Sequence, residues 1–231
     1  MNTGQMKQLF CLPYAGGNAS FYNHWKNRIS SHIELVPIEY SGHGSRMNEP
    51  LKEDASELIE DICTCILGKK RDVPFGLFGY SMGAKLCMSV VMRIFELTGE
   101  QPETMFLGAA TPPHIPESGI NWKSDDELYQ ILYQYGGMPM EVLMCKELCD
   151  LFLPIIKADM SLSSKICVSM DRPVCDSNLY VLYAPIDDPH QAMGQWVTYT
   201  TGKCTMFKYD GTHFFINDHE NDIISLINRS M

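Results

Sequence analysis

The pentapeptide Gly79-Tyr80-Ser81-Met82-Gly83 indicates the fold of this chain. It follows a short apolar run, Val73 to Phe78, and precedes an amphipathic stretch from Ala84 to Leu97. A strand, a tight turn and a helix around Gly-x-Ser-x-Gly are typical of a nucleophile elbow, in which the serine hydroxyl is exposed at the tip of the turn. A side chain at either glycine would collide with its neighbours. The pattern therefore predicts Ser81 as a nucleophile; the alternative is an ordinary strand-to-helix turn with a surface serine.

The length and charge of the chain narrow the class of protein. A chain of 231 residues fits one large α/β domain with room for an inserted subdomain. Its net charge of −10 argues against nucleic acid or an anionic membrane surface as a partner. Residues 1–8 contain no apolar segment, and no apolar run reaches the roughly 18 residues of a membrane span. We expect a soluble, cytoplasmic protein, with a monomer as the plausible state.

The nine cysteines do not predict a metal site or disulfides. Their number is odd and their spacing is irregular. The pairs Cys63/Cys65 and Cys145/Cys149 lack a second Cys/His cluster at the spacing of zinc ligands. Small buried thiols in a reducing compartment explain them better.

Apolar segments with strand and helix character alternate along both ends of the chain. This order predicts right-handed βαβ units, and hence an α/β fold with a mostly parallel sheet flanked by helices. The predicted strands are Gln8–Leu12, Ile33–Glu39, Val73–Phe78, Thr104–Ala109, Asn178–Ala184 and Cys204–Tyr209. The predicted helices are Ser20–Ile29, Ala55–Leu67, Ala84–Leu97, Ala192–Thr198 and Glu220–Asn228.

The alternation stops between residues 114 and 173. This segment has no convincing strand, whereas Ser124 to Tyr135 and Met140 to Phe152 have helical patterns. Mostly helical sequence between two sheet strands predicts an inserted lid. We therefore divide the chain into a core of residues 1–113 and 174–231 and a helical lid of residues 114–173.

The partners that a serine nucleophile needs follow in the order Ser, Asp, His that is typical of such a fold. Asp187 and Asp188 come after one late strand and His213 after the next, so all would meet at one rim of a parallel sheet. We predict His213 as the base. Between the two carboxylates we favour Asp188, because Asp-Pro is common at the start of a loop. His43 and His114 lie on loops at the same rim and could line the entrance, whereas His24, His32, His190 and His219 are expected at the surface.

A tetrahedral oxyanion needs two hydrogen-bond donors. One is expected from the backbone N–H of Met82, directly after the nucleophile. The other is expected from the loop after the first strand, Pro13 to Gly17, where we assign it to the N–H of Ala15.

Together these motifs resemble the type II thioesterases of nonribosomal peptide and polyketide assembly lines, within the α/β-hydrolase superfamily. The resemblance extends from the first strand to the last helix. The matching stretches are Leu9–Gly17, Gly42-His43-Gly44-Ser45-Arg46, Phe78–Ala84, Gly136-Gly137-Met138-Pro139, Asp187-Asp188-Pro189 and His213-Phe214-Phe215. Four positions depart from the family pattern: Tyr80 in place of histidine, Thr212 in place of glycine, Ala184 or Pro185 in place of glycine, and Ser41 in place of proline.

The resemblance implies an enzyme that hydrolyses acyl groups from the phosphopantetheine thiol of acyl or peptidyl carrier proteins. Carried over, Ser81, His213 and Asp188 would be the catalytic residues, with the N–H groups of Ala15 and Met82 as the oxyanion donors. No metal or bound cofactor is implied, because the substrate carries its own phosphopantetheine. Two alternatives stay open: an esterase or a fatty-acid chain-releasing thioesterase acting on simple esters, and a non-catalytic module that binds acyl carrier protein.

Overall fold

Six parallel strands form a sheet at the centre of the computed structural model, which describes residues 5–115, 122–137, 144–168, 173–188 and 191–231. The strands are β1 (Lys7–Leu12), β2 (Ile33–Pro37), β3 (Phe75–Tyr80), β4 (Thr104–Gly108), β5 (Asn178–Tyr183) and β6 (Cys204–Lys208). Their order across the sheet is β2-β1-β3-β4-β5-β6, and each neighbouring pair is parallel. The predicted α/β fold is confirmed, and strand ends agree with the prediction to about two residues.

Helices cover both faces of this sheet, so its central strands are apolar on both sides. The α-helices are α1 (Ala55–Lys69), α2 (Met82–Thr98), α3 (Asp125–Gln134), α4 (Lys146–Ser163), α5 (Phe215–Asp218) and α6 (Glu220–Ser230). Helices α1 and α2 pack on one apolar cluster of the sheet, and α6 packs on the other. Two successive residues of β3, Leu77 and Phe78, belong to the two different clusters because they point to opposite faces of the sheet.

Two segments predicted as helices are 3-10 helices. They span Ala19–Asn27 and Met193–Tyr199. Their buried residues recur at every third position, Tyr22 and Trp25 in the first and Met193, Trp196 and Tyr199 in the second. A helix with three residues per turn aligns such positions on one face, whereas an α-helix would spread them.

The predicted lid segment contributes α3 and α4. Ser124 caps α3 by accepting a hydrogen bond from the Glu127 N–H. The prediction that the second helix would end at Phe152 is wrong, because α4 continues through Pro154 to Ser163. Packing explains the difference, since α4 buries residues on both sides of that proline, including Leu153 and Ile156. Residues 140–143 of the predicted helix lie outside the described residues. No strand occurs within the described part of residues 114–173.

Within the described ranges, no helix is both long enough and apolar enough to cross a membrane. The same residues contain no group of three or more His, Cys, Asp or Glu side chains arranged to hold a metal ion.

Candidate active site

The turn between β3 and α2 holds Ser81 in an unusual backbone conformation. Its φ of 54° and ψ of −116° lie outside the regions that side-chain-bearing residues usually adopt. The Ser81 N–H donates to the Gly108 carbonyl at 2.8 Å, which fixes the turn to β4. The predicted steric need for the two glycines is confirmed. A Cβ at Gly79 would lie 2.4 Å from the Gly83 carbonyl oxygen, and a Cβ at Gly83 would lie 2.2 Å from that of Leu12.

The imidazole of His213 bridges Ser81 and an aspartate. His213 Nε2 lies 3.0 Å from Ser81 Oγ, and His213 Nδ1 lies 2.6 Å from Asp187 Oδ1. Because a carboxylate oxygen can only accept, Nδ1 carries a proton and the neutral ring presents Nε2 as an acceptor to the serine hydroxyl. The Asp187 side chain is 3% exposed and that of His213 is 19% exposed, so the pair is shielded while the ring keeps one edge open.

The expectation that Asp188 would contact the imidazole is wrong. Asp187 lies in a short 3-10 turn, Pro185–Asp187, and its Oδ2 accepts the Ala184 N–H at 3.0 Å, which leaves Oδ1 directed at His213. Asp188 faces the other way. Its Oδ1 accepts the N–H groups of Ala192 and Met193 at 2.5 and 3.1 Å and so caps the following 3-10 helix. Pro189, on which the choice of Asp188 rested, lies outside the described residues.

Tyr80 fixes the loop that carries His213. Its hydroxyl donates to the His213 carbonyl at 2.6 Å and accepts the Ile216 N–H at 3.4 Å. The ring is fully buried, and burial raises the pKa of its hydroxyl, so the hydroxyl keeps its proton at neutral pH. The residue before Ser81 thus holds the backbone of His213 in place.

The loop after β1 reaches the elbow, as the assignment of the oxyanion donors requires. Leu12 pairs with Gly79 across the β1–β3 ladder. The Gly17 N–H donates to the Tyr14 carbonyl at 2.8 Å, and Gly16 has a φ of +74°, which together describe a type II turn with Ala15 at its second position. Among the described residues, no acceptor takes the N–H of Ala15 or that of Met82. Both amides are free to donate, and the N-terminus of α2 adds its partial positive charge.

Aromatic side chains from the predicted lid and from the histidine loop surround the imidazole. The ring of Tyr135, at the end of α3, packs edge-on against His213 with centroids 5.9 Å apart. The Phe214 ring packs edge-on against Tyr14 at 4.9 Å. A Cβ at Gly137 would lie 2.7 Å from Phe214, so the end of α3 sits directly against the histidine loop.

The other histidines fall into three groups. His43, expected at the entrance, is buried and its ring contacts Asp159, a pairing that the sequence pattern did not reveal. His114 is half-buried and bonds Tyr199 and Gln195. His24 is exposed, and His32 and His219 are partly exposed; His190 lies outside the described residues.

Comparisons with known proteins identify the family of this chain. The sequence model of the thioesterase domain family matches residues 7–231. The chain belongs to the thioesterase domain family. The predicted α/β-hydrolase fold and the predicted similarity to type II thioesterases are both confirmed.

Three similar proteins illustrate the range of this family. The medium-chain S-acyl fatty acid synthase thioesterase of Anas platyrhynchos is 27% identical over 93% of this chain and 87% of its own length. The gramicidin S biosynthesis protein GrsT of Aneurinibacillus migulanus is 25% identical over 98% of this chain and 90% of its own. The solved structure of BorB, the type II thioesterase from the borrelidin biosynthetic cluster, has a TM-score of 0.81 with 27% identity, covering 99% of this chain and 93% of that one.

Proposed function

We propose that Ser81, His213 and Asp187 form a catalytic triad that hydrolyses acyl thioesters on the phosphopantetheine arm of carrier proteins. One observation carries the proposal: His213 Nε2 lies 3.0 Å from Ser81 Oγ while Asp187 holds the opposite ring nitrogen. A serine hydroxyl is a weak nucleophile at neutral pH and needs such a base, itself oriented by a third group.

Acyl transfer then proceeds in two halves. The Ser81 hydroxyl passes its proton to His213 Nε2 as Oγ attacks the thioester carbonyl. The N–H groups of Ala15 and Met82 bind the oxyanion of the tetrahedral intermediate. The C–S bond breaks, the pantetheine sulfur takes the proton from the imidazolium, and an acyl-serine remains. Water, deprotonated by His213, then cleaves that ester and regenerates the serine.

Asp187 serves both halves through the same hydrogen bond. It keeps the neutral imidazole in the tautomer that accepts from Ser81, and it stabilises the imidazolium that forms in each step. None of these steps calls for a metal or a bound cofactor, because the substrate supplies the pantetheine thiol as leaving group.

For the biological duty we propose the removal of aberrant acyl groups, or the release of intermediates, in nonribosomal peptide or polyketide synthesis. The names of GrsT and BorB support this duty. The partner would be an acyl or peptidyl carrier protein, met by a cytoplasmic monomer without nucleic acid or membrane. Release of medium-chain fatty acids is the second candidate, and the similarity to the fatty acid synthase thioesterase supports it.

Carrier dependence separates these functions. A panel of acyl groups, each attached to one carrier protein and to a short pantetheine mimic, should show a higher kcat/KM on the carrier for every group tested. Equal rates on carrier and mimic would favour an esterase or a thioesterase of simple esters. A sharp preference for medium-length saturated chains, whatever the carrier, would favour fatty acid release.

A serine-directed phosphonate separates an enzyme from a binding module. The probe should label Ser81 in the wild-type protein and leave the variant Ser81→Ala unlabelled. Failure to label the wild-type protein, with carrier binding intact, would support a module without activity.

A further inference from the structure

A second buried His–Asp pair connects α4 to the loop after β1. Asp159 Oδ2 accepts the Gly16 N–H at 2.7 Å and lies 2.9 Å from His43 Nε2. The side chains of Asp159 and His43 are each 4% exposed. His43 follows β2 and Asp159 lies on α4, so one carboxylate oxygen joins three distant parts of the chain.

The hydrogen-bond partners of His43 favour a positively charged imidazole. His43 Nδ1 lies 3.0 Å from the Ser41 carbonyl oxygen, which can only accept, so Nδ1 donates. Nε2 faces Asp159, and an ionised carboxylate can only accept, so Nε2 donates to it as well. Burial alone would lower the pKa of His43, but the hydrogen bond and charge of Asp159, the Ser41 carbonyl and the charge of Glu39 raise it above its ordinary value.

Stability alone is a weak reason for such a pair, because desolvation offsets most of the attraction between buried charges. The position of Gly16, whose N–H also donates to Asp159, is more informative. Gly16 is the third residue of the type II turn in which Ala15 is the second. In a type II turn the peptide between these two residues is rotated by about half a turn relative to a type I turn. The bond from Gly16 N–H to Asp159 fixes that peptide plane, which directly follows the Tyr14–Ala15 peptide that carries the Ala15 N–H.

Helix α4 touches the same turn through a second side chain. A Cβ at Gly16 would lie 2.5 Å from Ile156 Cγ1, so Ile156 packs directly on the turn. Ile156 and Asp159 are three residues apart and therefore lie on one face of α4. That face supplies both an apolar contact and a charged acceptor to the backbone beside Ala15.

We infer that Asp159, supported by His43, is a positioning residue that holds the oxyanion turn in its donating conformation only while α4 is docked. This inference rests on the proposed function, since it assigns a purpose to the Ala15 N–H. Docking of the predicted lid helix and completion of the oxyanion site thereby become one event. A substrate that displaces α4 would lose the stabilisation of its own transition state.

An alkyl boronic acid tests the inference, because its boron accepts the Ser81 Oγ lone pair and one hydroxyl of the resulting tetrahedral boronate anion occupies the oxyanion position. The variant Asp159→Asn keeps the size of the side chain but loses the charge that pairs with His43. We expect its affinity for the boronic acid and its kcat on an acyl-pantetheine to fall about 10- to 100-fold, with KM changed less than about 3-fold. Asp159→Ala should show at least the same loss.

The matched control is Asp150→Asn, the same substitution on the exposed side of the same helix. Asp150→Asn should leave the affinity for the boronic acid and kcat unchanged. Equal boronate affinity in wild type and Asp159→Asn, measured well below the melting temperature of each, would overturn the inference and leave Asp159 a structural residue. Failure of the wild-type protein itself to bind the boronic acid through Ser81 would instead overturn the proposed function.

A measurement on the wild-type protein does not depend on any variant folding. Hydrogen exchange followed by NMR should show the Gly16 amide protected at least about 10-fold more than that of Ala15, because only the former has an acceptor. Equally fast exchange of both amides would show that the bond to Asp159 does not hold the turn, and the inference would fail.

Discussion

At the scale of single residues, two adjacent aspartates have different tasks because of the directions their side chains take. Asp187 Oδ1 contacts the imidazole, whereas Asp188 caps a 3-10 helix. Asp187→Asn should therefore lower kcat by roughly 10³–10⁴-fold, since an amide in this place favours the wrong tautomer of His213. Asp188→Asn should keep kcat within about 3-fold and should lower thermal stability, since a weaker cap remains. Steady-state kinetics of both variants test this difference in kcat. A larger loss of kcat in Asp188→Asn than in Asp187→Asn would assign the orienting carboxylate to Asp188.

The choice between these carboxylates shows which site residues can be predicted from the sequence and which cannot. Ser81 and His213 could be predicted because a glycine-flanked serine and a loop histidine have few alternative positions. The aspartate could not, because both candidates follow the same strand. Their directions depend on the 3-10 turn at Pro185–Asp187 and on the bond from Ala184 to Asp187, which neighbouring residue types do not reveal.

Tyr80 offers another test at the residue scale. Tyr80→Phe removes the hydroxyl that bonds both the His213 carbonyl and the Ile216 N–H. Leaving two buried groups without this partner should cost about 1–3 kcal/mol of stability. It should also lower kcat more than it raises KM, because the loop that carries His213 is no longer held in place. Tyr22→Phe is the control, since it removes a buried hydroxyl that bonds the Leu12 carbonyl instead. Equal kcat losses in both variants would show a general effect of stability.

At the scale of elements, the elbow depends on the close approach of α2 to the end of β1. Gly83→Ala would place a methyl group 2.2 Å from the Leu12 carbonyl, so the helix or the strand would have to move. We expect a loss of several kcal/mol or failure to fold. Gly68→Ala is the matched control within α1, where nothing lies within 4 Å of the added carbon. It should raise stability by about 0.5–1 kcal/mol. Chemical denaturation measures both, and a tolerated Gly83→Ala would contradict the described packing.

The contact between α4 and the loop after β2 should make stability depend on pH through His43. Its pKa is raised in the folded protein, so its contribution is fully present below the unfolded pKa and is lost as the pH rises through the folded one. The charged and titratable groups that face it are Asp159, Glu39 and Tyr40. The difference in melting temperature between wild type and His43→Gln should therefore shrink from about pH 6 to about pH 9. A difference that grows with pH would contradict a charged His43.

The elements themselves could be predicted more fully than the contacts between them. Each strand of the sheet has a local apolar run, and most turns contain a glycine or a proline, with residues 28–32 before β2 as an exception. The pairing of His43 with Asp159 joins residues 116 apart and exists only because α4 continues beyond Phe152 and docks on the turn. The extension through Pro154 depends on burial against the core, which is a tertiary effect that overrides local helix preference.

At the scale of the whole molecule, the segment predicted as a lid is partly continuous with the core. Leu162, Ile166 and Val168 belong to the same apolar cluster as the sheet and α2. Helix α3 is tied to α4 by an ion pair between Asp125 and Lys157. Because the apolar cluster is shared, we expect this segment and the sheet to unfold in a single transition.

Tryptophan fluorescence can follow the two regions separately. Trp122 reports on the start of α3, and Trp196 reports on the core. Thermal unfolding of variants that keep only one of the chain's three tryptophans, either Trp122 or Trp196, should give coincident midpoints once the stability of each variant is taken into account from far-UV circular dichroism. A lower midpoint for Trp122 alone would show that the segment detaches before the core unfolds.

The central claim is that Ser81 carries the acyl group during turnover. Rapid acid quenching of the enzyme with acyl-carrier protein, followed by peptide mass spectrometry, tests it most directly. We expect the mass of the acyl group on the peptide containing Ser81, and neither this adduct nor hydrolysis with Ser81→Ala. Undiminished hydrolysis by Ser81→Ala, or an acyl group found only on another residue, would contradict the account.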